Sequence, residues 1–288
     1  MSASPTTAVL ITGCSSGIGR ATALRLARRP DLTVYATARR PDTLAALADE
    51  GCRTLTLDVT EEESMRAAVE AVEAEHGAVG VLVNNAGYGE YGTIEETDLE
   101  RVRSQFETNV FGLARLSQLV LPGMRAAGTG RIVNVGSMGG RFVFPVGGYY
   151  HASKYAVEAL SDALRFEVAP FGIKVSIIEP GLIRTGFGDT AAGTLAKTSR
   201  EDGPYGALTA AADRQMADGY ANKRMSVSPD TVAAVIERAA TAGRPRLRYV
   251  ITPTAKLLVH MRRLLGARVF DAFLRTQFKA PAATAGRG

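Results

Sequence analysis

Apolar positions along the chain alternate between two periods. Short runs rich in β-branched and aromatic residues predict strands at Ala8–Thr12, Thr33–Thr37, Arg53–Leu57, Val79–Asn84, Arg131–Val135, Lys174–Glu179 and Leu247–Val250. Helical spacing predicts helices over Gly17–Arg28, Asp42–Asp49, Glu61–His76, Asp98–Arg125 and Tyr149–Ala169. Acidic residues in the first turn of the Glu61 helix suit the positive end of the helix dipole. Strands alternating with helices imply a mostly parallel sheet covered on both faces, and right-handed crossovers make it a doubly wound α/β fold. Two segments depart from this rhythm. Leu182–Val227 is rich in Gly, Ala, Thr and Asp, carries a helix near Ala207–Ala221, and is long enough to expect a functional lid. Thr254–Phe278 reads as one apolar and basic helix. No linker divides the chain, so residues 1–288 are expected to form one domain with a lid (182–227) and a C-terminal helical extension (254–278).

Composition narrows the partners. A chain of 288 residues, 46% hydrophobic and 22% charged, can bury a full core. The net charge of +5 is concentrated at one end, where Lys256, Arg262, Arg263, Arg268, Arg275 and Lys279 meet a single acid, Asp271. The remainder balances near neutral, which argues against a nucleic-acid binder with a basic stripe across its fold. No stretch approaches the roughly 20 apolar residues of a membrane span. Residues 1–7 lack the basic start and apolar run of a leader. Cys14 and Cys52 have no metal-ligand spacing and suit a reducing cytoplasm. His76, His151 and His260 are scattered, so no metal site is expected.

The first strand runs into Thr12-Gly13-Cys14-Ser15-Ser16-Gly17-Ile18-Gly19. A strand, a glycine turn and a helix start form an anion site. Glycines admit close backbone approach to a pyrophosphate, and the helix N-terminus faces its charge. The segment after the second strand then bears on the choice of dinucleotide. An NAD site places an acid about 20 residues beyond the turn, to hold a ribose hydroxyl. Here that region reads Thr37-Ala38-Arg39-Arg40, with no acid and two guanidiniums suited to a 2′-phosphate. Arg is abundant in this chain, so the missing acid carries more weight than the arginines. The expectation is NADP, with Arg39 as the direct contact and Arg40 as a second contributor.

Chemistry is concentrated further on. Tyr150 and Lys154 lie one helical turn apart, Ser137 is thirteen residues upstream of Tyr150, and Asn109 lies earlier still. A fixed ammonium beside a phenol favours the phenolate and is expected to lower its pKa from about 10. A tyrosine tuned in this way can pass a proton to or from an alcohol or ketone. Tyr149 has Ser153 at the matching position and is expected to pack or to line the pocket. For His151 a surface or supporting role is expected, and for Cys14 that of a small side chain in a tight loop.

These residues together resemble the short-chain dehydrogenase/reductase family across nearly the whole chain. The likeness rests on Thr12-Gly13-x3-Gly17-x-Gly19, Asp58, Asn84-Asn85-Ala86-Gly87, Asn109, Ser137, Tyr150-x3-Lys154 and Pro180-Gly181, all in the family's order. The resemblance implies a Rossmann-type fold and hydride transfer to or from a nicotinamide cofactor. It implies Tyr150 as general acid and base, Lys154 also on the nicotinamide ribose, Ser137 on the substrate oxygen, and Asn109 holding a water in a relay to Lys154. It further implies that the cofactor meets Thr12, Gly13, Ser15, Ser16, Gly17, Ile18 and Gly19. Asp58 would approach the adenine, Val59 would also meet the cofactor, and Asn85, Ala86 and Gly87 would lie alongside. Pro180, Gly181 and Thr185 would lie near the nicotinamide.

Within the family, Val34–Arg39 and Tyr150–Glu158 look most like the 17β-hydroxysteroid and retinol dehydrogenase branch. Substrate walls are expected from Gly139–Gly148, with Phe142, Val143, Phe144 and Val146, and from the lid. These favour a hydrophobic ketone, aldehyde or alcohol, steroid-, retinoid- or polyketide-like. A β-ketoacyl carrier-protein reductase is the main rival, set back by the longer lid and the extra helix. A non-catalytic NADP(H) sensor is another, and the intact Asn109, Ser137, Tyr150 and Lys154 set argues against it. The basic C-terminal helix is expected to cap the fold or join a homodimer or homotetramer. Contact with acidic lipid is the less favoured use.

Overall fold

The computed structural model describes residues 7–198, 202–223 and 225–278. Expectations drawn on residues 1–6 and Lys279 fall outside these. The first half repeats strand and helix: β1 (Thr7–Ile11), α1 (Gly17–Ala27), β2 (Leu32–Ala38), α2 (Ala45–Asp49), β3 (Arg53–Thr56), α3 (Glu62–His76) and β4 (Val81–Asn84). The middle holds α4 (Leu99–Phe106), α5 (Leu113–Ala126), β5 (Gly130–Val135), α6 (Gly148–Val168) and β6 (Ile173–Glu179). Next come β7 (Leu182–Ile183), α7 (Phe187–Thr198), α8 (Gly206–Ala221), β8 (Ser226–Val227), α9 (Pro229–Thr241), β9 (Arg248–Val250) and α10 (Pro253–Gln277).

Seven strands form a parallel sheet in the order β3-β2-β1-β4-β5-β6-β9. Its central strands are buried on both faces, which is why β1 and β4 read as unbroken apolar runs. One face packs Val9, Ile11, Val34 and Val133 against Ala23 and Leu26 of α1 and Val232 and Ile236 of α9. The other packs Leu10, Leu82 and Ile132 against Val69 and Val72 of α3 and Leu116 and Val120 of α5. The order reverses between β1 and β4, and ligands bind such sheets at the strand C-termini beside that point.

Four elements differ from what the spacing predicts. The long helix expected over Asp98–Arg125 contains a π-helical segment, Glu107–Gly112, between α4 and α5. A Cβ added at Gly112 would collide with the Val59 carbonyl, so the segment lies close against the chain that follows β3. The expected single helix at the C-terminus is two arms broken at Gly266, with φ 75° and ψ −177°. Helix α9 was not expected, although Ser228 caps it by accepting from Thr231 N and Pro229 takes its first turn. The lid segment holds α7 and the short β7–β8 pair besides the expected α8.

Candidate active site

A cavity of about 1260 Å³ opens along the C-terminal ends of the strands. Its floor at one end is the turn after β1. Gly13 and Gly17 have φ of +72° and +57°, a backbone that L side chains rarely adopt, and a Cβ added at Gly19 would collide with the Gly13 carbonyl. Thr12 is buried beneath, its Oγ1 accepting from Asn85 N and Ala86 N, each at 2.9 Å. Asn85 Nδ2 returns to the Thr12 carbonyl at 2.8 Å. The turn is thus a rigid cradle bonded to the end of β4.

Gly13, Ser15, Ser16, Gly17 and Ile18 line the cavity, as do Asp58, Val59, Asn85, Ala86, Gly87, Pro180, Gly181 and Thr185. Thr12 and Gly19 lie outside its wall. Arg39 lines the cavity at the end of β2, whereas the exposed Arg40 does not. The Arg39 guanidinium is near enough to Tyr88 to pull on its phenol, whose pKa burial nonetheless raises. Asn84, by contrast, faces the sheet interior. It donates to Asn134 Oδ1 at 3.0 Å and Ser117 Oγ at 3.1 Å, and Asn134 donates to Ser161 Oγ at 2.9 Å. This polar ladder ties β4 and β5 to α5 and α6.

Helix α6 brings Tyr150 and Lys154 into the site, both buried. Lys154 Nζ donates to the Val135 carbonyl at 3.0 Å and lies 6.0 Å from the Tyr150 ring centroid. Its ammonium has no carboxylate partner among the described residues, and burial lowers its pKa to about 8. Burial also pushes the Tyr150 phenol up to about 12, with the nearby Ser137 hydroxyl opposing the rise. The expected lowering of Tyr150 is therefore not seen, because desolvation penalises the phenolate and dominates the shift. Ser137 is held from behind by Gly139 N, which donates to its Oγ at 3.0 Å.

Asn109 reaches the site because the π-helical segment turns it inward. Its Oδ1 accepts from Tyr88 N at 3.0 Å, and its Nδ2 donates to Tyr88 O at 2.8 Å and Ser153 Oγ at 3.1 Å. It lies off the cavity wall, behind Gly87. A Cβ at Gly87 would stand 2.9 Å from Asn109 Oδ1 and 3.7 Å from Lys154 Nζ. The glycine therefore leaves open the gap between the amide and the ammonium.

One expectation is corrected, and two that stood open are decided. Phe142 and Val143 do not line the cavity. Phe142 is fully buried against Phe270 with ring centroids 5.5 Å apart, and Val143 is 49% exposed. Phe144 and Val146 do line it, and Gly92 N donates to the Val146 carbonyl at 2.7 Å. Tyr149, expected to pack or to line the pocket, packs outside the cavity, its hydroxyl donating to Ile94 O at 3.2 Å. Of the surface and supporting roles expected for His151, it takes the supporting one. It is buried, with Nδ1 against Gly139 O at 2.9 Å and Nε2 accepting from Phe144 N at 3.1 Å. Only the neutral ring protonated at Nδ1 satisfies both bonds, and burial lowers its pKa to about 4. Cys14 is sealed in the turn, and burial raises its thiol to about 12.

The spacing missed the aromatic surround. Tyr91 stacks on Tyr150 at 5.4 Å, and Phe187 tilts against it at 5.6 Å. Tyr220 of α8 also faces this space. Burial raises both Tyr91 and Tyr220, and nearby Tyr150 adds to each rise. No local motif marks these residues; they come from the chain after β4, from α7 and from α8, and meet only in the folded chain. Among the described residues no His, Cys, Asp and Glu group is placed to hold a metal.

The short chain dehydrogenase family model matches residues 7–194. An uncharacterized oxidoreductase of Escherichia coli (strain K12) is 37% identical over 268 residues, 93% of this chain and 93% of the relative. Human 17-beta-hydroxysteroid dehydrogenase type 1 is 37% identical over 275 residues, 89% of this chain and 80% of the relative. A short-chain dehydrogenase/reductase of Burkholderia phymatum, solved in complex with NAD, superposes with a TM-score of 0.77 at 26% identity, covering 90% of this chain and 93% of that one.

Proposed function

The chain belongs to the short-chain dehydrogenase/reductase family of oxidoreductases, and on that premise we propose an NADP(H)-dependent enzyme that interconverts a hydrophobic ketone or aldehyde and its alcohol. The observation that carries the reading is the Tyr150 phenol on the cavity wall, where Ser137 also lies, with Lys154 one turn further along α6.

The glycine cradle fits a dinucleotide. Gly13, Ser15, Ser16, Gly17 and Ile18 would hold the pyrophosphate, with Gly19 allowing the close helix approach. Arg39 would meet a 2′-phosphate, Asp58 and Val59 the adenine, and Lys154 the nicotinamide ribose. Pro180, Gly181 and Thr185 would flank the nicotinamide. When bound, this cofactor supplies or accepts the hydride.

The chain's own residues manage the proton and the orientation. With a pKa near 12 Tyr150 keeps its proton at neutral pH, ready to give it to the substrate oxygen in reduction. Ser137 orients that oxygen. Lys154 supports the phenolate left behind, since a cation fixed in a low-dielectric site acts over several ångströms. The gap beside Gly87 gives Asn109 and Lys154 room for the water that would return a proton. Tyr91, Phe144, Phe187 and Tyr220 make the reacting end aromatic, and Met216 and Met225 extend an apolar lining. The relative named for a hydroxysteroid supports the same substrate class. Helices α7 and α8 would act as the lid. Thr194 and Thr198 hydrogen-bond Gly89 and Tyr91 backbone, so α7 would move together with the Gly89–Tyr91 loop. Homodimer or homotetramer formation completes the reading.

The decisive test pairs a screen with one substitution. NADPH-dependent reduction is measured over steroids, retinoids, aliphatic ketones and acyl thioesters. With the best substrate, Tyr150→Phe is expected to lower kcat at least about 100-fold while NADPH affinity stays near wild type. Near-normal turnover in that variant refutes the assignment.

A further inference from the structure

Helix α10 closes the core with one face only. Ala255, Leu258, Val259, Phe270 and Leu274 are buried in a cluster with Met138 and Phe142. The opposite side keeps Leu257 67%, Leu264 75%, Leu265 53% and Val269 49% exposed. Helical spacing puts Leu257, Leu264 and Leu265 on one side of the first arm. Lys256, His260 and Arg263 are exposed along the edge of that stripe, and Arg268 and Arg275 are exposed on the second arm, beyond Gly266. Among the described residues none of Lys256, Arg263, Arg268 and Arg275 enters an ion pair, and Asp271 is the one acid on α10.

Leu257 also lines the cavity, as do Thr254 and Phe273. The exposed apolar stripe is therefore continuous with an opening of the active site. Among the described residues no helix is long and apolar enough to cross a membrane. An apolar stripe edged by unpaired cations instead suits a helix lying in the plane of a lipid surface, its leucines in the acyl boundary and its cations on the headgroups.

We propose that α10 docks the protein on an anionic lipid bilayer, with Leu257, Leu264 and Leu265 facing the acyl boundary and the cavity opening toward it. The stripe edges carry the complementary charge. A second copy fits this face poorly. A two-fold contact would bring two equivalent sets of these cations together, with one acid per chain to offset them. Docking itself does not depend on the proposed reaction; only the corollary that an apolar substrate enters from the bilayer rests on that reading.

Sedimentation of the full chain, loaded with NADPH, tests this on vesicles of phosphatidylcholine alone or mixed with phosphatidylglycerol. Binding is expected to the mixed vesicles only and to fall as salt rises. Leu264→Asp with Leu265→Asp is expected to weaken it at least about tenfold. Arg263→Ala with Arg268→Ala is expected to weaken it roughly fivefold per charge removed. Both variants are expected to keep the wild-type thermal midpoint and particle mass. Three results overturn the proposal: no sedimentation with anionic vesicles at low salt, undiminished binding of the aspartate variant, or a smaller particle mass in that variant. The last identifies the face as a subunit contact. Vesicle binding is read without substrate, so its failure leaves the oxidoreductase reading standing, and a failed substrate screen leaves the vesicle result standing.

Discussion

At the scale of a single residue, the proposed preference for NADP rests on Arg39. It follows β2 on the cavity wall, where an NAD site would put an acid, and no acid stands at Thr37-Ala38-Arg39-Arg40. A guanidinium pairs with a phosphate in two parallel hydrogen bonds, and removing it leaves that charge to water. Arg39→Ala is expected to weaken NADPH binding at least about tenfold, the loss of one charge-assisted hydrogen bond or more, and to leave NADH nearly unchanged. Titration of both nucleotides into both proteins measures this. Equal wild-type affinities would make Arg39 a bystander. Arg40 lies outside the cavity lining, so Arg40→Ala should move the ratio less. The same scale shows why Tyr150 and Lys154 depart from their ordinary pKa values in opposite directions. Each is buried, and burial disfavours the charged form of both.

At the scale of an element, helix α6 holds the segment before it through His151. The imidazole joins Gly139 O and Phe144 N, bracing the segment that carries Ser137 at one end and Phe144 in the cavity wall. Protonation would remove the acceptor that Phe144 N uses. The folded pKa is lowered to about 4 from the ordinary 6.5, so between these values the unfolded chain binds more protons. Stability from this clamp is therefore present above pH 6.5 and lost as pH falls toward 4. Urea denaturation across that window is expected to show a steeper acid loss for wild type than for His151→Asn. Parallel curves would show that the ring titrates without consequence. Another element, the π-helical segment, is the device that aims Asn109 at Tyr88 and Ser153, as such bulges often do at functional sites.

Across the whole molecule, one partly buried charge network fastens the site to the last strand. Arg248 of β9 pairs with Glu158 and Asp162 of α6 and with Glu179, the last residue of β6, while Arg141 pairs with Glu179 at 3.0 Å. Glu179 has no exposed surface, and its carboxyl is raised by desolvation against the pull of Arg141. Pro180 and Gly181 follow at once, and Glu158 lies one turn past Lys154. Arg248→Met is expected to cost about 3 kcal/mol or more in chemical denaturation, because it leaves buried carboxylates short of a partner. A loss under about 1 kcal/mol would mean that Arg141 alone satisfies the cluster.

Much of this was legible in the residues themselves. Strand and helix order follows from local periodicity, and a period of two or of 3.6 needs no distant partner to be read. The glycine turn is legible because few residues other than glycine accept a positive φ. Tyr150 and Lys154 share a face because helix geometry alone sets a four-residue step. Tertiary structure decided the rest. Neighbouring Phe142 and Phe144 look alike in sequence, yet packing against Phe270 sends the first into the core and leaves the second at the cavity. Tyr91, Phe187 and Tyr220 come from three separate segments and meet at Tyr150 only in the folded chain. Burial decides that Tyr150 is raised, and α10 shows which of its apolar residues the core covers only once it is docked. Burial is a property of the assembled chain, so these outcomes follow from contacts between distant segments that no local pattern of residues encodes.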